Sequence, residues 1–140
     1  MQRGFPNGNW GTRRNIYFDG QFVAGNITDR IECGYEYDAP EVTADDGCDG
    51  DITDRIAKDG DTVDSTHPDT YVATYNVSDS SGHEAFPVTH TVIVEDTRCP
   101  EITLNGAATE EVECGARFTD PGATAEDACD GNLSGSIHTE

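Results

Sequence analysis

Short runs of β-branched and aromatic residues, each broken within a few positions by Gly, Asp, Asn or Pro, set the pattern of this chain. No useful stretch repeats its apolar residues at the 3.6-residue spacing of an amphipathic helix, so the pattern predicts strands. Residues 21–24 and 102–104 read as first strands. Residues 26–32 and 110–113 follow them after a glycine, and 42–44 and 123–125 are shorter. Residues 52–57 come next. The clearest pair is 71–78 and 85–95, flanking the turn Asp79-Ser80-Ser81-Gly82-His83, where glycine suits a positive φ. Along Tyr71-Val72-Ala73-Thr74-Tyr75-Asn76-Val77 the odd positions share one face, as in a sheet with one side on a core. Tyr71, after Pro68-Asp69-Thr70, is placed either for a tyrosine-corner contact or as an ordinary strand aromatic. Some seven short strands in about 80 residues describe an all-β sandwich.

The pattern is written twice. Residues 33–56 read CGYEYDAPEVTADDGCDGDITDRI, and residues 114–137 read CGARFTDPGATAEDACDGNLSGSI, 81 positions later with no gap. Ten of the 24 positions are identical, both cysteines included. A period this long is a whole small domain rather than a solenoid turn. The second copy has no counterpart of residues 57–98. A half sandwich exposes an apolar face and strand edges. Three readings are open for it: a boundary within a longer chain, poor order, or completion by strands of another chain.

A unit of this size buries only about 60% of its unfolded surface and gains much from covalent staples. Cys33 and Cys48 are 15 residues apart, as are Cys114 and Cys129. The equal spacing predicts one disulfide within each copy, each closing a loop that stabilises by about 3 kcal/mol in the chain-entropy model. Disulfides place the protein outside the cytosol. Cys99 falls outside the repeat, and a free thiol, a bond to another chain and a bond to further sequence all stay open for it.

Charge sharpens this picture. The 140 residues carry 28 acids against 8 bases, a net charge of -20. Such a surface repels phosphate, which argues against nucleic-acid and anionic-membrane partners. No run approaches the ~20 apolar residues of a membrane helix, and the start has no apolar core of a signal peptide. Residues 1–18 hold Arg3, Arg13 and Arg14 and no acid. They read as a basic leader whose aromatics include Phe5 and Trp10. Within it Asn15, Ile16, Tyr17 and Phe18 form a candidate donor strand that could complete the acidic half-unit of another copy.

The strings ECG, PGATAEDACDGN, DTYVATYNVSDSSGHEA and THTVIVEDTRCPEITLNG occur here in the order of a known module. Together they resemble the bacterial immunoglobulin-like domains of the DUF5011 and HYR-like type, over about residues 19–140. The resemblance implies an immunoglobulin-like sandwich, repeated in large secreted and cell-surface proteins as spacers, adhesin stalks and appendages of secreted hydrolases. The domain reading is then a leader over 1–18, one complete Ig-like repeat over 19–98 and the first half of a second over 99–140.

Candidate chemistry centres on acids. Asp45, Asp46, Asp49 and Asp51 crowd around Cys48, with Glu126, Asp127, Asp130 and Asn132 at the matching positions of the second copy. Calcium takes six to eight hard oxygens, and an Asp-rich turn supplies several. The alternative is turn chemistry, in which these side chains cap their own backbone. Calcium is the one cofactor the sequence suggests. Four scattered histidines with no nucleophile at a recognisable spacing argue against an enzyme. The reading is an extracellular or cell-surface structural segment, a spacer or assembly unit whose partners are neighbouring Ig-like repeats or copies of itself, joined head to tail by strand donation. The alternatives are an adhesive or carbohydrate-binding module with a glycan or surface partner, and a virion decoration or fibre protein.

Overall fold

The computed structural model describes residues 14–140. Phe5, Trp10 and Arg13 of the leader lie outside the described residues. Eleven strands follow in order: β1 Arg14–Phe18, β2 Gln21–Val23, β3 Asn26–Glu32, β4 Val42–Asp46, β5 Gly50–Asp51, β6 Ala57–Gly60, β7 Asp69–Asn76, β8 Val88–Glu95, β9 Glu101–Leu104, β10 Ala123–Asp127 and β11 Gly131–Asn132. Single 3-10 turns sit at Thr53–Arg55 and Ser134–Ser136. The first eight strands make a two-sheet sandwich, with orders β2-β1-β4-β5 and β3-β8-β7-β6.

The core is the inner faces of those sheets. Along β7 the expected alternation holds: Ala73 and Tyr75 are buried, as is Val77 just beyond, while Val72 is exposed. In β8 Val88, His90, Val92 and Val94 all face inward. From the other sheet Ile16, Phe18 and Ala44 meet them, with Ile52 from the loop after β5. Phe18 is the bridge between sheets. Its ring stands edge-on to Tyr75 at 5.2 Å and to His90 at 5.3 Å, in the T-shaped geometry that aromatic quadrupoles favour.

This corrects the reading of residues 1–18 as a leader ending before the first repeat. Asn15, Ile16, Tyr17 and Phe18 are not extended toward a neighbour. They form β1, paired with β2 and β4 of their own sandwich. Alternation explains why: Ile16 and Phe18 point into the core, while Asn15 and Tyr17 point out and hydrogen-bond the Asp45 carboxylate at 3.1 and 3.3 Å. The charge complementarity expected between copies is met within one chain, where Arg14 pairs with Asp79 at 3.0 Å.

The β7–β8 turn is built as expected. Asp79 Oδ1 accepts from the N–H groups of Ser81 and His83, both at 2.9 Å, and Gly82 has φ +82°. Tyr71 Oη donates to the His67 carbonyl at 3.1 Å, the tyrosine-corner contact. Residues 52–57 depart from the expected strand. Thr53 takes an N–H bond to Asp51 Oδ1 and accepts the Ala44 N–H on its hydroxyl, which winds a 3-10 turn before β6.

Residues after β8 form a second, smaller sheet of order β11-β10-β9. It copies the first sheet's pairing. Ile102 faces Ala125 and Leu104 faces Ala123, as Ile16 faces Ala44 and Phe18 faces Val42. The environments differ: Ile16 and Phe18 are buried, whereas Ile102 and Leu104 are exposed, with Val112 and Phe118. Residues 110–113 are not a strand, since β3, their counterpart, is held by pairing along β8, and among the described residues the second unit has no such partner.

Phe18→Ala should cost about 3–5 kcal/mol, as emptying an aromatic core site does, read as a lower urea midpoint. Phe86, which is 95% exposed, should change stability by less than about 0.5 kcal/mol when replaced by Ala. Equal midpoints for the two variants would remove β1 from the core.

Candidate functional site

Strands β3 and β8 run parallel in unbroken register from Asn26 opposite Thr89 to Glu32 opposite Glu95. Parallel partners leave a sheet at the same end. Cys33 follows one strand and the linker to the second unit follows the other, so both emerge at one pole of the sandwich. The Cys33 N–H donates to the Glu95 carbonyl at 2.9 Å.

At this pole the sandwich and the smaller sheet are clasped. Cys33, buried at 1% exposure, is disulfide-bonded to Cys129, 96 residues later. Glu32 holds the linker: Oε1 accepts from the N–H groups of Thr97 and Arg98 at 2.8 and 3.1 Å, and Oε2 from the Thr97 hydroxyl at 2.7 Å. Arg98 reaches back to Tyr35, donating to its Oη at 2.7 Å with the guanidinium over the ring. Gly34 has φ +85°, and a Cβ there would overlap the Ala128 carbonyl. Only glycine meets both demands at once. The segment Glu32-Cys33-Gly34-Tyr35 is therefore one half of a joint, and the turn around Cys129 is the other.

The expected pairing of cysteines within each copy is overturned here. Cys48 lies at the opposite pole, because its neighbour Asp49 accepts from the Ser80 N–H and hydroxyl at 2.7 and 3.0 Å in the β7–β8 turn. The eight residues of β8 separate that turn from Cys33, roughly 25 Å at strand rise. A disulfide needs Cα atoms within about 7 Å. Cys48 and Cys114 are instead free, exposed thiols. Cys99 is likewise free and exposed. The bond that does form closes a loop of nearly one hundred residues, for which the chain-entropy model gives about 4.7 kcal/mol rather than 3.

The acidic residues expected to gather around calcium have other engagements. Asp46 Oδ1 accepts the N–H groups of Cys48 and Asp49, and Asp127 Oδ1 those of Cys129 and Asp130. Asn132 caps Ser134. Hydrogen bonds from the Ser80 N–H and then its hydroxyl hold the Asp49 carboxyl below the usual range. Thr53, through its side chain and then its N–H, does the same for Asp51. Asp45 is taken by Tyr17 and Asn15. Asp46 Oδ2 is buried without a hydrogen-bond partner. Among the described residues, three potential ligand atoms come within 4.8 Å of one another only at Asp96, Cys129 and Asp130. There the sulfur is committed to the disulfide.

The Glu32 carboxyl is held below its ordinary value of 4.5, first by the Thr97 hydroxyl and then by the Thr97 N–H. A carboxyl depressed on folding stabilises above its unfolded pKa and loses that contribution as pH falls through the folded one. The Thr97 and Arg98 amide resonances should therefore move together as pH drops below 4.5, and should be flat in Glu32→Gln. Identical titrations in parent and variant would show that Glu32 does not hold the linker.

Residues 23–94, from β2 to the end of β8, match the family model for bacterial surface protein, Ig-like domain. No curated relative matches the chain. Among solved structures, the lipoprotein BT2262 from Bacteroides thetaiotaomicron is 24% identical over 60% of this chain and 39% of its own, with a TM-score of 0.46. The M60 catalytic domain with the CBM51-1 and CBM51-2 domains from Clostridium perfringens ZmpB is 19% identical over 70% of this chain and 10% of its own, at 0.43. The structure of CBM51-2 in complex with GlcNAc and INT domains from the same protein is 19% identical over 69% and 21%, at 0.43. The chain thus spans between 10% and 39% of the lengths of these three structures. With the family model covering more than half of the residues, and the eight-stranded sandwich containing all of the matched segment, the chain belongs to the family of bacterial surface protein Ig-like domains.

Proposed function

We propose that this chain is a force-carrying spacer segment of an extracellular bacterial surface protein, in which Ig-like units are strung in line and clasped at their joints. The observation that carries this reading is the Cys33–Cys129 disulfide, which joins units rather than stapling one. Tension entering before Cys33 and leaving after Cys129 crosses the bond directly. The 95 residues between them, including the whole β3-β8-β7-β6 sheet except β3, lie outside the force path. The Glu32 and Arg98 contacts fix the linker beside the bond, so the joint resists bending as well as extension. The acidic surface keeps such arrays apart and soluble. The reading is non-catalytic. Strand donation by residues 15–18 is not part of it, because β1 is already paired on both edges.

Stretching the chain from its ends should give a short extension in oxidising buffer. Adding reductant should release roughly 330 Å more, the contour of 96 residues. Cys33→Ser should show the long extension without reductant. A parent chain that extends fully while oxidised would end the force-carrying reading.

A glycan-binding reading has one observation behind it. A cleft of about 220 Å³ is lined by Tyr37, Tyr71, Tyr75 and His90, with Lys58 and Asp61 at its rim. That is below the ~300 Å³ at which ligand pockets usually begin, so its occupant would be one sugar ring. A monosaccharide panel scored by calorimetry checks it: heat that disappears in Tyr71→Ala supports the cleft, and no heat from any sugar removes it.

A further inference from the structure

The disulfide obeys the repeat, and its rule accounts for two of the three remaining cysteines. Cys33 is the Glu-Cys-Gly cysteine of the first unit, and Cys129 is the Cys-Asp-Gly cysteine of the second. Cys114 is the Glu-Cys-Gly cysteine of the second unit, and Cys48 is the Cys-Asp-Gly cysteine of the first. The bond therefore joins the downstream-pole cysteine of one unit to the upstream-pole cysteine of the next. Cys48 sits at the upstream pole of its unit, and Cys114 stands in the second unit where Cys33 stands in the first.

Both half-joints already have the bonded shape. The turn at Cys48 is held by Asp46 Oδ1 at 2.8 and 3.0 Å from two N–H groups, and the bonded turn at Cys129 is held by Asp127 Oδ1 at 2.7 and 3.0 Å. On the other side, Gly34 and Gly115 share φ +85°. At Gly34 the space a Cβ would take is filled by Ala128, whereas a Cβ on Gly115 would meet nothing within 4 Å beyond its chain neighbours among the described residues. Gly47, which matches Ala128 in the repeat, is equally open. Glu113 stands where Glu32 holds the linker, and among the described residues its carboxylate has no partner. Both thiols are exposed.

We infer that Cys114 and Cys48 are inter-unit disulfide sites. Cys114 bonds the Cys-Asp-Gly cysteine of a following unit, and Cys48 bonds the Glu-Cys-Gly cysteine of a preceding one. The occupant in each case is another unit of this kind, either in the same polypeptide or in a second copy of this chain. This rests on the reading of the chain as a segment of clasped units. The chemistry is thiol–disulfide exchange with a disulfide-bearing oxidant, such as oxidised glutathione or a thiol–disulfide oxidoreductase. One thiolate, its proton lost to solvent, attacks the oxidant and expels one of its sulfurs as a thiolate. The second thiolate attacks the mixed disulfide and expels the other. Two protein thiols become one disulfide, and the oxidant leaves as two thiols.

The test is a peptide map of native, non-reduced surface material. Cys114 should be bonded to a Cys-Asp-Gly peptide. If that peptide carries Cys48, the partner is a second copy, and if it has a different Cys-Asp-Gly sequence, the partner is an adjoining unit. A free Cys114, or one bonded to Cys99, in material whose Cys33–Cys129 bond is complete would overturn the inference. That result would leave the spacer reading standing, because the stretching experiment tests the Cys33–Cys129 bond alone. The second-copy arm is checked with Cys48→Ser/Cys99→Ser and Cys114→Ser/Cys99→Ser chains in a glutathione redox buffer. Mixed, they should give heterodimer in about tenfold excess over the homodimer of either alone, the ratio set by a preference of about 1.4 kcal/mol. Equal yields would exclude the second copy as partner.

Discussion

The parallel pairing of β3 with β8 is the constraint from which the rest of this molecule follows. Parallel strands finish together, so the residues after β3 and the residues after β8 meet at one pole. The chain thereby delivers Glu32, Cys33, Gly34 and Tyr35 to the place where it sets out for the second unit. An antiparallel pairing of the same two strands would carry Cys33 to the far end, beside Ser80 and away from the linker. The joint, its disulfide and its carboxylate clamp are consequences of one strand direction.

The sandwich that fixes this direction depends on a small number of large side chains. Phe18 lies between Tyr75 and His90 and spans the two sheets. Ile16, Ile52, Val88 and Val92 fill the space around it. The second unit shows the same sheet without the opposing one. Its Ile102, Leu104 and Phe118 hold the positions of Ile16, Phe18 and Tyr37, but open to solvent.

The acidic residues serve geometry as much as charge. Asp46, Asp49, Asp51, Asp79 and Asp127 each accept backbone N–H groups in turns, and Asp49 also ties the Cys48 turn to the β7–β8 turn. Glu32 does the same work at the joint. Carboxylates are suited to this because an ionised oxygen accepts several N–H bonds at once, and such charge-assisted bonds are roughly twice as strong as neutral ones. A chain with this many short turns and little core gains its shape from them.

Local information settled a good deal. The alternation in β7, the turn at Asp79–His83, the bounds of β3 and the all-β architecture are visible in residue order, because each depends on neighbours within a few positions. The repeat likewise announced that Cys33 and Cys114, and Cys48 and Cys129, are equivalent. Two things were decided only in three dimensions. The strand Arg14–Phe18 looked like a separate basic leader because charge marks composition, whereas membership of a sheet is set by pairing with β4 across the loop. The disulfide looked internal because equal spacing fits two pairings, one within each unit and one displaced by a whole repeat. Sequence spacing cannot separate them. The direction of β3 along β8 can, since it places Cys33 at the joint and Cys48 a full strand length away.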